Sequence, residues 1–169
     1  FGFVAKRSYG DFGVFLLWNA KKEPFYTMLS PMLSQIGEKF HVFSFWDKKY
    51  LGVRTANSLL DLSFETGGVY RYTPVSTSKK PLLIASCLHL SMGANEIKEM
   101  IDNGSNVVIS FCDDGAQDGE LFFYSESKIL AVDCVNCEAT LNFNGDNVYE
   151  IKIKNRQKES EICVKYCIS

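Results

Sequence analysis

Four of the six cysteines fall into two closely spaced pairs, a pattern from which proteins build zinc sites. Cys134 and Cys137 form a C-x-x-C motif, and Cys163 and Cys167 follow with three residues between them. Within an extended strand, Cys163 and Cys167 would lie roughly 13 Å apart at about 3.3 Å per residue, too far to share a metal unless the strand bends. We therefore predict no metal site, and we interpret these cysteines as turn thiols and small buried apolar residues.

The C-x-x-C motif could also carry thiol–disulfide chemistry. A thioredoxin-type motif stands at the start of a helix near a βαβ unit, and the sequence around Cys134 shows no such unit. The first ten residues lack the apolar centre and the cleavage site of a signal peptide. We therefore expect all six cysteines to be reduced thiols.

Acidic residues are concentrated in the segment DDGAQDGE, which runs from Asp113 to Glu120. An EF-hand loop distributes its calcium ligands over about 12 residues and ends in a bidentate glutamate. The segment does not supply that pattern, so we interpret it as a solvated hairpin loop. We predict no calcium site and no cofactor.

The sequence offers few residues for acid–base or nucleophilic catalysis. Its two histidines, His41 and His89, are each flanked by apolar residues in a predicted strand, so we expect half-buried imidazoles with satisfied hydrogen bonds. Ser86, Cys87 and His89 are close in sequence, but neighbouring residues of a strand point to alternate faces and do not assemble a nucleophile with a base. Glycoside hydrolysis requires two carboxylates across a cleft, and no spacing of acids here places such a pair. We assign no catalytic residue.

Aromatic side chains are the remaining candidates for ligand binding. A sugar-stacking platform could be formed by Trp18, Trp46, Tyr50, Tyr70 and Tyr72. The alternative is that these rings belong to a core or an interface, where aromatic side chains most often lie. Both interpretations stay open from the sequence.

The composition favours a β-rich globular fold. The chain has 169 residues, of which 46% are hydrophobic and 22% charged, and its 13 Phe and 8 Tyr suit a pleated, half-buried surface. The net charge of −2, with scattered Lys and Arg, provides no basic cluster for a phosphate backbone, so we predict no nucleic-acid partner. No apolar run approaches the about 20 residues that span a bilayer, so we predict no membrane segment and a cytoplasmic location.

The apolar pattern predicts several buried strands. Pro81 to Gly93, PLLIASCLHLSMG, reads as a central strand with apolar side chains on both faces and a change of direction at its end. Lys39 to Asp47, KFHVFSFWD, reads as an interior strand, and Ser58 to Phe64 alternates cleanly before a Gly67-Gly68 turn. We expect burial of six residues in these strands, namely Leu83, Ala85, Val42, Trp46, Leu60 and Leu62.

The rest of the chain predicts short strands separated by turns, which is typical of a sandwich. Ser30-Pro31 followed by Gly37 predicts one or two helical turns, and Ala94 to Ile101 fits either a helix or a strand, with Asp102-Asn103-Gly104 favouring the strand. We predict an all-β fold, an antiparallel two-sheet β-sandwich spanning residues 1–169 as one unit, or two sub-sheets that divide near residues 103–105. Because the first residue is not methionine, we expect a fragment of a longer chain.

Several segments resemble one known domain family. The strand Asp11 to Asn19, KFHVFSFWDKKYLG from Lys39 to Gly52, the SLLDLSF hairpin and PLLIASCLHLSMGANEI from Pro81 to Ile97 occur in the order found in the C-terminal β-sandwich of melibiase-type α-galactosidases and related glycoside hydrolases. DGELFFYSESKILAVDCVNC and NVYEIKI are similar to the closing strands of such domains. Ser44 departs from the acidic residue that often precedes the aromatic pair, and Cys137 stands where a glycine would suit the turn.

The resemblance implies a domain without a reaction of its own. In that family two aspartates of a preceding (β/α)8 barrel perform catalysis, and no stretch here resembles the barrel. The expected role is a non-catalytic accessory domain that packs against the catalytic barrel of the same polypeptide and stabilises it. Two alternatives are a carbohydrate-binding module that uses exposed aromatics and a protein-interaction sandwich.

Overall fold

The structure is a computed structural model that describes residues 1–18, 25–27, 29–56, 60–62, 67–113 and 117–167. The chain divides into two compact units, Phe1–Val75 and Ser76–Ser169. The described residues contain fifteen strands and one four-residue helix, and every strand pairing is antiparallel. The predicted all-β fold is confirmed.

The first unit contains one sheet of five strands and one pair of short strands. Its elements are β1 (Gly2–Ala5), β2 (Phe12–Leu17), β3 (Phe25–Thr27), α1 (Ser30–Leu33), β4 (Lys39–Ser44), β5 (Lys49–Thr55), β6 (Leu60–Leu62) and β7 (Gly68–Pro74). The sheet has the order β1-β2-β7-β4-β5, and β3 pairs with β6. The short helix predicted after Ser30 is present as α1.

An aromatic cluster forms the core of the first unit. Alternate residues of β2, β4 and β7 lie on one face of the sheet, because successive side chains of a strand point to opposite faces. The cluster consists of Phe15, Leu33, Phe40, Val42, Ala56, Tyr70 and Tyr72. Edge-to-face contacts join the Tyr72 ring to Phe15 at 5.6 Å and to Phe40 at 6.2 Å between centroids. These contacts add to the burial of apolar area in holding the sheet together.

The second unit is built from two four-stranded sheets, consistent with a β-sandwich. Its elements are β8 (Leu82–Ser86), β9 (Ile97–Asp102), β10 (Asn106–Phe111), β11 (Gly119–Tyr124), β12 (Ile129–Val135), β13 (Glu138–Gly145), β14 (Val148–Lys154) and β15 (Glu161–Tyr166). One sheet has the order β12-β15-β10-β9 and the other β13-β14-β11-β8. Hairpins join β9 to β10 and β13 to β14, and each other connection passes from one sheet to the other.

Strand β8 shows what an apolar run does and does not predict. Leu83, Ile84 and Ala85 are at most 2% exposed, so burial of both faces is confirmed. Yet β8 lies at the edge of its sheet and pairs with β11, so its prediction as a central strand is wrong. An apolar pattern reports burial of side chains and carries no information on how many strands pair with the backbone.

The boundary suggested near residues 103–105 falls within the second unit. These residues form the turn between β9 and β10, where the Asn103 N–H donates to the Asn106 carbonyl at 2.9 Å. Gly104 has φ of +89°, a left-handed conformation that glycine adopts without strain. The strand interpretation of the preceding segment is confirmed by β9. A single sandwich spanning the whole chain stays a prediction.

Burial was predicted correctly for three residues and wrongly for one. Val42, Leu83 and Ala85 are buried, whereas Trp46 is 60% exposed. The reason is that β4 ends at Ser44, and the chain then turns through residues 45–48, with Lys48 at φ of +47°. Leu60 and Leu62 belong to β6, but their side chains lie outside the described residues.

Candidate functional site

Two of the five candidate aromatics are buried in the core of the first unit. Tyr70 is 4% exposed and Tyr72 is 3% exposed, so neither ring presents a face on which a sugar could stack. Burial, with the nearby Asp47 carboxylate as a smaller cause, raises the pKa of Tyr70 to about 12. Burial likewise raises the pKa of Tyr72, whose hydroxyl has no hydrogen-bond partner among the described residues. Both phenols therefore stay protonated and act as core residues.

Tyr50 is half-buried and contacts a buried histidine. Its hydroxyl lies 2.8 Å from Nδ1 of His41, and the two rings are tilted at 34° with centroids 5.8 Å apart. Burial lowers the pKa of His41 to about 4, so the imidazole is neutral at neutral pH. Of the two predicted half-buried histidines, His41 is buried, whereas His89 is exposed and its Nδ1 accepts the Ser91 N–H at 3.0 Å.

The two tryptophans are exposed and stand at the same end of the five-stranded sheet. Trp18 is 70% exposed and directly follows β2, whose Leu17 pairs with Gly68 at the start of β7. Trp46 is 60% exposed and follows Phe45, whose N–H donates to the carbonyl of Val69 at 2.8 Å. Because β2 and β4 flank β7, their backbones lie about 10 Å apart at that end, from a strand spacing of about 4.8 Å.

The turn that carries Trp46 is held by short contacts within the first unit. The Ser44 hydroxyl donates to Oδ2 of Asp47 at 2.6 Å. The Phe45 ring meets the Trp46 indole edge-to-face at 4.8 Å and 86°. A fixed, exposed indole beside a carboxylate can offer stacking to a sugar ring and a hydrogen-bond acceptor to its hydroxyls.

An open cleft of about 780 Å³ lies in the second unit, around the β9, β10 and β15 strands. Its lining includes the acidic side chains of Glu99, Asp113 and Glu161. Asp113 accepts the N–H of Glu159 at 2.7 Å, and Glu161 accepts the Ser110 hydroxyl at 2.8 Å. These bonds tie loops and strands together. Within the described residues, no group of three or more His, Cys, Asp or Glu side chains is placed to hold a metal ion.

The register of the second unit separates the cysteines that a zinc site would need. Cys163 on β15 pairs with Asp133, and the next residue of β12, Cys134, pairs with Ile162. Adjacent residues of a strand point to opposite faces, so Cys134 and Cys163 lie on opposite faces of the sheet. Four thiols cannot converge on one ion in this arrangement.

A buried carboxylate that the sequence did not reveal organises the connection from β8 to β9. Glu96 is 6% exposed and accepts the hydroxyls of Ser86 and Ser91, each at 2.6 Å, and the N–H of Gly93 at 2.7 Å. One signal was available, namely an acidic residue directly after the S-M-G-A-N turn within an apolar segment. Because its oxygens already accept these bonds, we assign Glu96 a structural role.

A buried arginine, also missed from the sequence, anchors the connection from β10 to β11. Arg156 is 7% exposed, and its guanidinium donates to the carbonyls of Cys112 at 3.1 Å and Gln117 at 3.3 Å. The same group lies 5.2 Å from the centroid of the Phe111 ring. The acidic segment joins β10 to β11 in the other sheet, so its interpretation as a hairpin loop is wrong. Its residues 114–116 lie outside the described residues.

Comparison with known proteins does not assign a family. No family model matches the chain, and a search of curated proteins gives no significant match. In the part of the chain that the structure describes, every helix is too short to cross a bilayer.

Proposed function

We propose that the chain is a non-catalytic accessory C-terminal β-sandwich domain of an α-galactosidase-like glycoside hydrolase, which packs against a catalytic (β/α)8 barrel of the same polypeptide. The sequence resemblance suggests the family, and the all-β fold is compatible with it. A cytoplasmic location for that polypeptide is part of the proposal. The domain would stabilise the barrel by burying apolar surface at their interface.

The observation that carries this proposal is a group of exposed apolar residues where the start of β1 lies beside the end of β2. Phe1 and Leu16 are directly opposite one another, since the Phe1 amino group donates to the Leu16 carbonyl at 3.0 Å and the Leu16 N–H to the Phe1 carbonyl at 2.7 Å. Trp18 lies two positions beyond Leu16 and directly follows the last residue of β2. Leu16 and Trp18 are 43% and 70% exposed, respectively.

Exposed apolar side chains grouped at one end of a sheet commonly mark a surface that a partner covers. A large ring such as that of Trp18 is the type of side chain that anchors protein interfaces. The family resemblance implies that this partner is the catalytic barrel.

The test uses the polypeptide that carries the chain. We expect the sequence N-terminal of Phe1 to encode a barrel with two catalytic aspartates. In that polypeptide, Trp18→Ser should weaken the barrel–sandwich interface by about 2 kcal/mol, measured as a lower midpoint of thermal inactivation of the glycosidase activity. The matched control is Val53→Ser, which removes a 46% exposed apolar residue from β5, at the opposite edge of the sheet. Equal effects of the two substitutions would contradict the proposed interface.

A carbohydrate-binding module is the second candidate. The observation that favours it is the exposed Trp46 indole, held by Phe45 and adjacent to the Asp47 carboxylate. Binding of a galactoside that depends on Trp46 would support this candidate. The corresponding titration is described in the last prediction of the Discussion.

A further inference from the structure

The C-x-x-C segment connects the two sheets of the second unit. Strand β12 ends at Val135 in one sheet, and β13 begins at Glu138 in the other. Cys134 is exposed and Cys137 is partly buried. The two cysteines therefore stand on either side of the point at which the chain crosses between sheets.

The two cysteines come close to one another across this connection. Sγ of Cys134 lies 3.1 Å from the carbonyl oxygen of Cys137, and Sγ of Cys137 lies 3.7 Å from the carbonyl oxygen of Glu161. Between them, Asn136 has φ of +54°, a left-handed conformation that asparagine tolerates well. This reversal of the backbone brings the ends of the four-residue segment together, which is the first requirement for a disulfide.

The segment is also fixed to a neighbouring loop. The Asn136 side-chain amide donates to the carbonyls of Lys158 and Glu159, each at 3.3 Å. The carbonyl of Asn136 accepts the N–H of Gln157 at 2.9 Å. Three hydrogen bonds therefore hold the segment against the connection between β14 and β15. A fixed segment keeps the two cysteines near one another, which favours reaction between them over reaction with separate molecules.

We propose that Cys134 and Cys137 form a reversible dithiol–disulfide site that exchanges with small-molecule disulfides such as oxidised glutathione. The Cys134 thiolate attacks one sulfur of glutathione disulfide, forms a mixed disulfide and releases one glutathione thiolate. The Cys137 thiolate then attacks Sγ of Cys134, closes the protein disulfide and releases the second glutathione. The protein dithiol loses two electrons and two protons, and the glutathione disulfide gains both.

The order of the two steps follows from the environments of the thiols. Burial, with the adjacent Cys134 as a further cause, raises the pKa of Cys137 to about 11. Since the thiolate is the attacking species, Cys137 is a poor first nucleophile in the free protein. Cys134 is exposed and meets the external disulfide first, and Cys137 reacts only with the neighbouring sulfur. The Cys163 thiol lies on the opposite face of the sheet from Cys134, so it cannot replace Cys137 as the thiol that attacks the Cys134 sulfur.

The test is a redox titration of the folded chain in buffers with increasing ratios of oxidised to reduced glutathione. Free thiols are trapped with iodoacetamide, and the peptides are mapped by mass spectrometry. We expect a Cys134–Cys137 link to form first, while the other four cysteines remain alkylated. A first link between any other pair, or no link at any ratio while the circular dichroism spectrum stays native, would overturn the proposal.

Single substitutions separate the two roles. In Cys137→Ser we expect a stable mixed disulfide carrying one glutathione at Cys134, because the second thiol is missing. In Cys134→Ser we expect oxidised glutathione to react with Cys137 roughly tenfold more slowly than it reacts with Cys134 in the other variant. The matched control Cys163→Ser should form the Cys134–Cys137 link at the wild-type ratio. Equal rates at the two cysteines would show that the proposed order is wrong, and the peptide map of the unsubstituted chain remains decisive if a variant fails to fold.

Discussion

The hydroxyl of Ser86 donates to the carboxylate of Glu96 at 2.6 Å, although the two residues are ten positions apart and belong to different parts of the second unit. Ser86 is the last residue of β8, and Glu96 immediately precedes β9 in the other sheet. The bond therefore joins the two ends of the connection between the two sheets. Ser91, Gly93 and Asn95 provide further donors from within the connection itself.

Replacing Glu96 should therefore destabilise the second unit. Glu96→Ala leaves two buried hydroxyls and the Gly93 N–H without their acceptor, and we expect a loss of about 3 kcal/mol in the free energy of unfolding. Glu96→Gln retains one acceptor oxygen and should lose less. The measurement is the midpoint of urea unfolding followed by circular dichroism.

The matched control for this prediction is Glu99→Ala, which removes an exposed glutamate from β9. Exposed substitutions away from such networks usually change stability by at most about 0.5 kcal/mol. An unfolding midpoint of Glu96→Ala equal to that of the control would show that the carboxylate does not hold the connection.

The comparison of Glu96 with β10 shows what the sequence could predict about the fold. Val107, Ile109 and Phe111 alternate with less buried residues, so the strand and its inward face follow from local pattern alone. Glu96 acts through donors up to ten residues away, and their convergence depends on the path of the connection. The apolar pattern along the sequence does not show which distant residues converge in space, so the hydrogen bonds around Glu96 could not be predicted.

The candidate aromatic residues also show that local sequence pattern does not determine which side chains are buried. Tyr72 and Trp46 both occur in apolar segments, yet Tyr72 is 3% exposed and Trp46 is 60% exposed. The alternation in KFHVFSFWD continues past Ser44, whereas the strand does not, because hydrogen bonding of β4 to β5 ends there and the chain turns. Strand ends are set by the partner strand and turn, which local apolar spacing does not specify.

The buried imidazole of His41 should make stability depend on pH. Its pKa is about 4 in the folded chain and 6.5 in the reference state, so the unfolded chain binds the extra proton between these values. The contribution is fully present above pH 6.5 and is lost as the pH falls from 6.5 to about 4. The measurement is the free energy of unfolding of the chain at pH intervals across this window.

Substitution of each histidine in turn identifies the one that causes the pH dependence of stability. His41→Gln should reduce the slope of stability against pH in that window, because the group that takes up the proton is removed. The matched control His89→Gln replaces the exposed histidine and should retain the slope. A slope that is unchanged in His41→Gln would contradict the assignment.

The chain should purify without stoichiometric zinc and should keep its fold in a chelator. The reason is the opposite orientation of Cys134 and Cys163, which prevents four thiolates from meeting at one ion. Metal analysis of the purified chain and its thermal midpoint with and without chelator are the measurements. About one zinc per chain, with unfolding in chelator, would refute the prediction, and Cys134→Ser and Cys137→Ser would then identify the first ligands.

The last prediction is that the chain alone does not hydrolyse α-galactosides and binds simple galactosides weakly or not at all. Hydrolysis needs an acid and a second carboxylate at a fixed separation across a sugar-binding pocket. In the open cleft of the second unit, Asp113 and Glu161 instead accept bonds from neighbouring backbone and side-chain groups. The measurements are turnover of a chromogenic α-galactoside and calorimetric titration with galactose and melibiose.

The titration also separates the two proposed functions. Turnover by the chain alone would refute the accessory role. Saturable binding at about 1 mM or tighter, without turnover, would favour the carbohydrate-binding module if Trp46→Ala or Tyr50→Ala abolished it. The matched control is Phe143→Ala, which removes a 62% exposed ring from the second unit and should leave such binding unchanged. Loss of binding in the control as well would exclude Trp46 as the specific platform, because a ring outside the first unit would then matter equally.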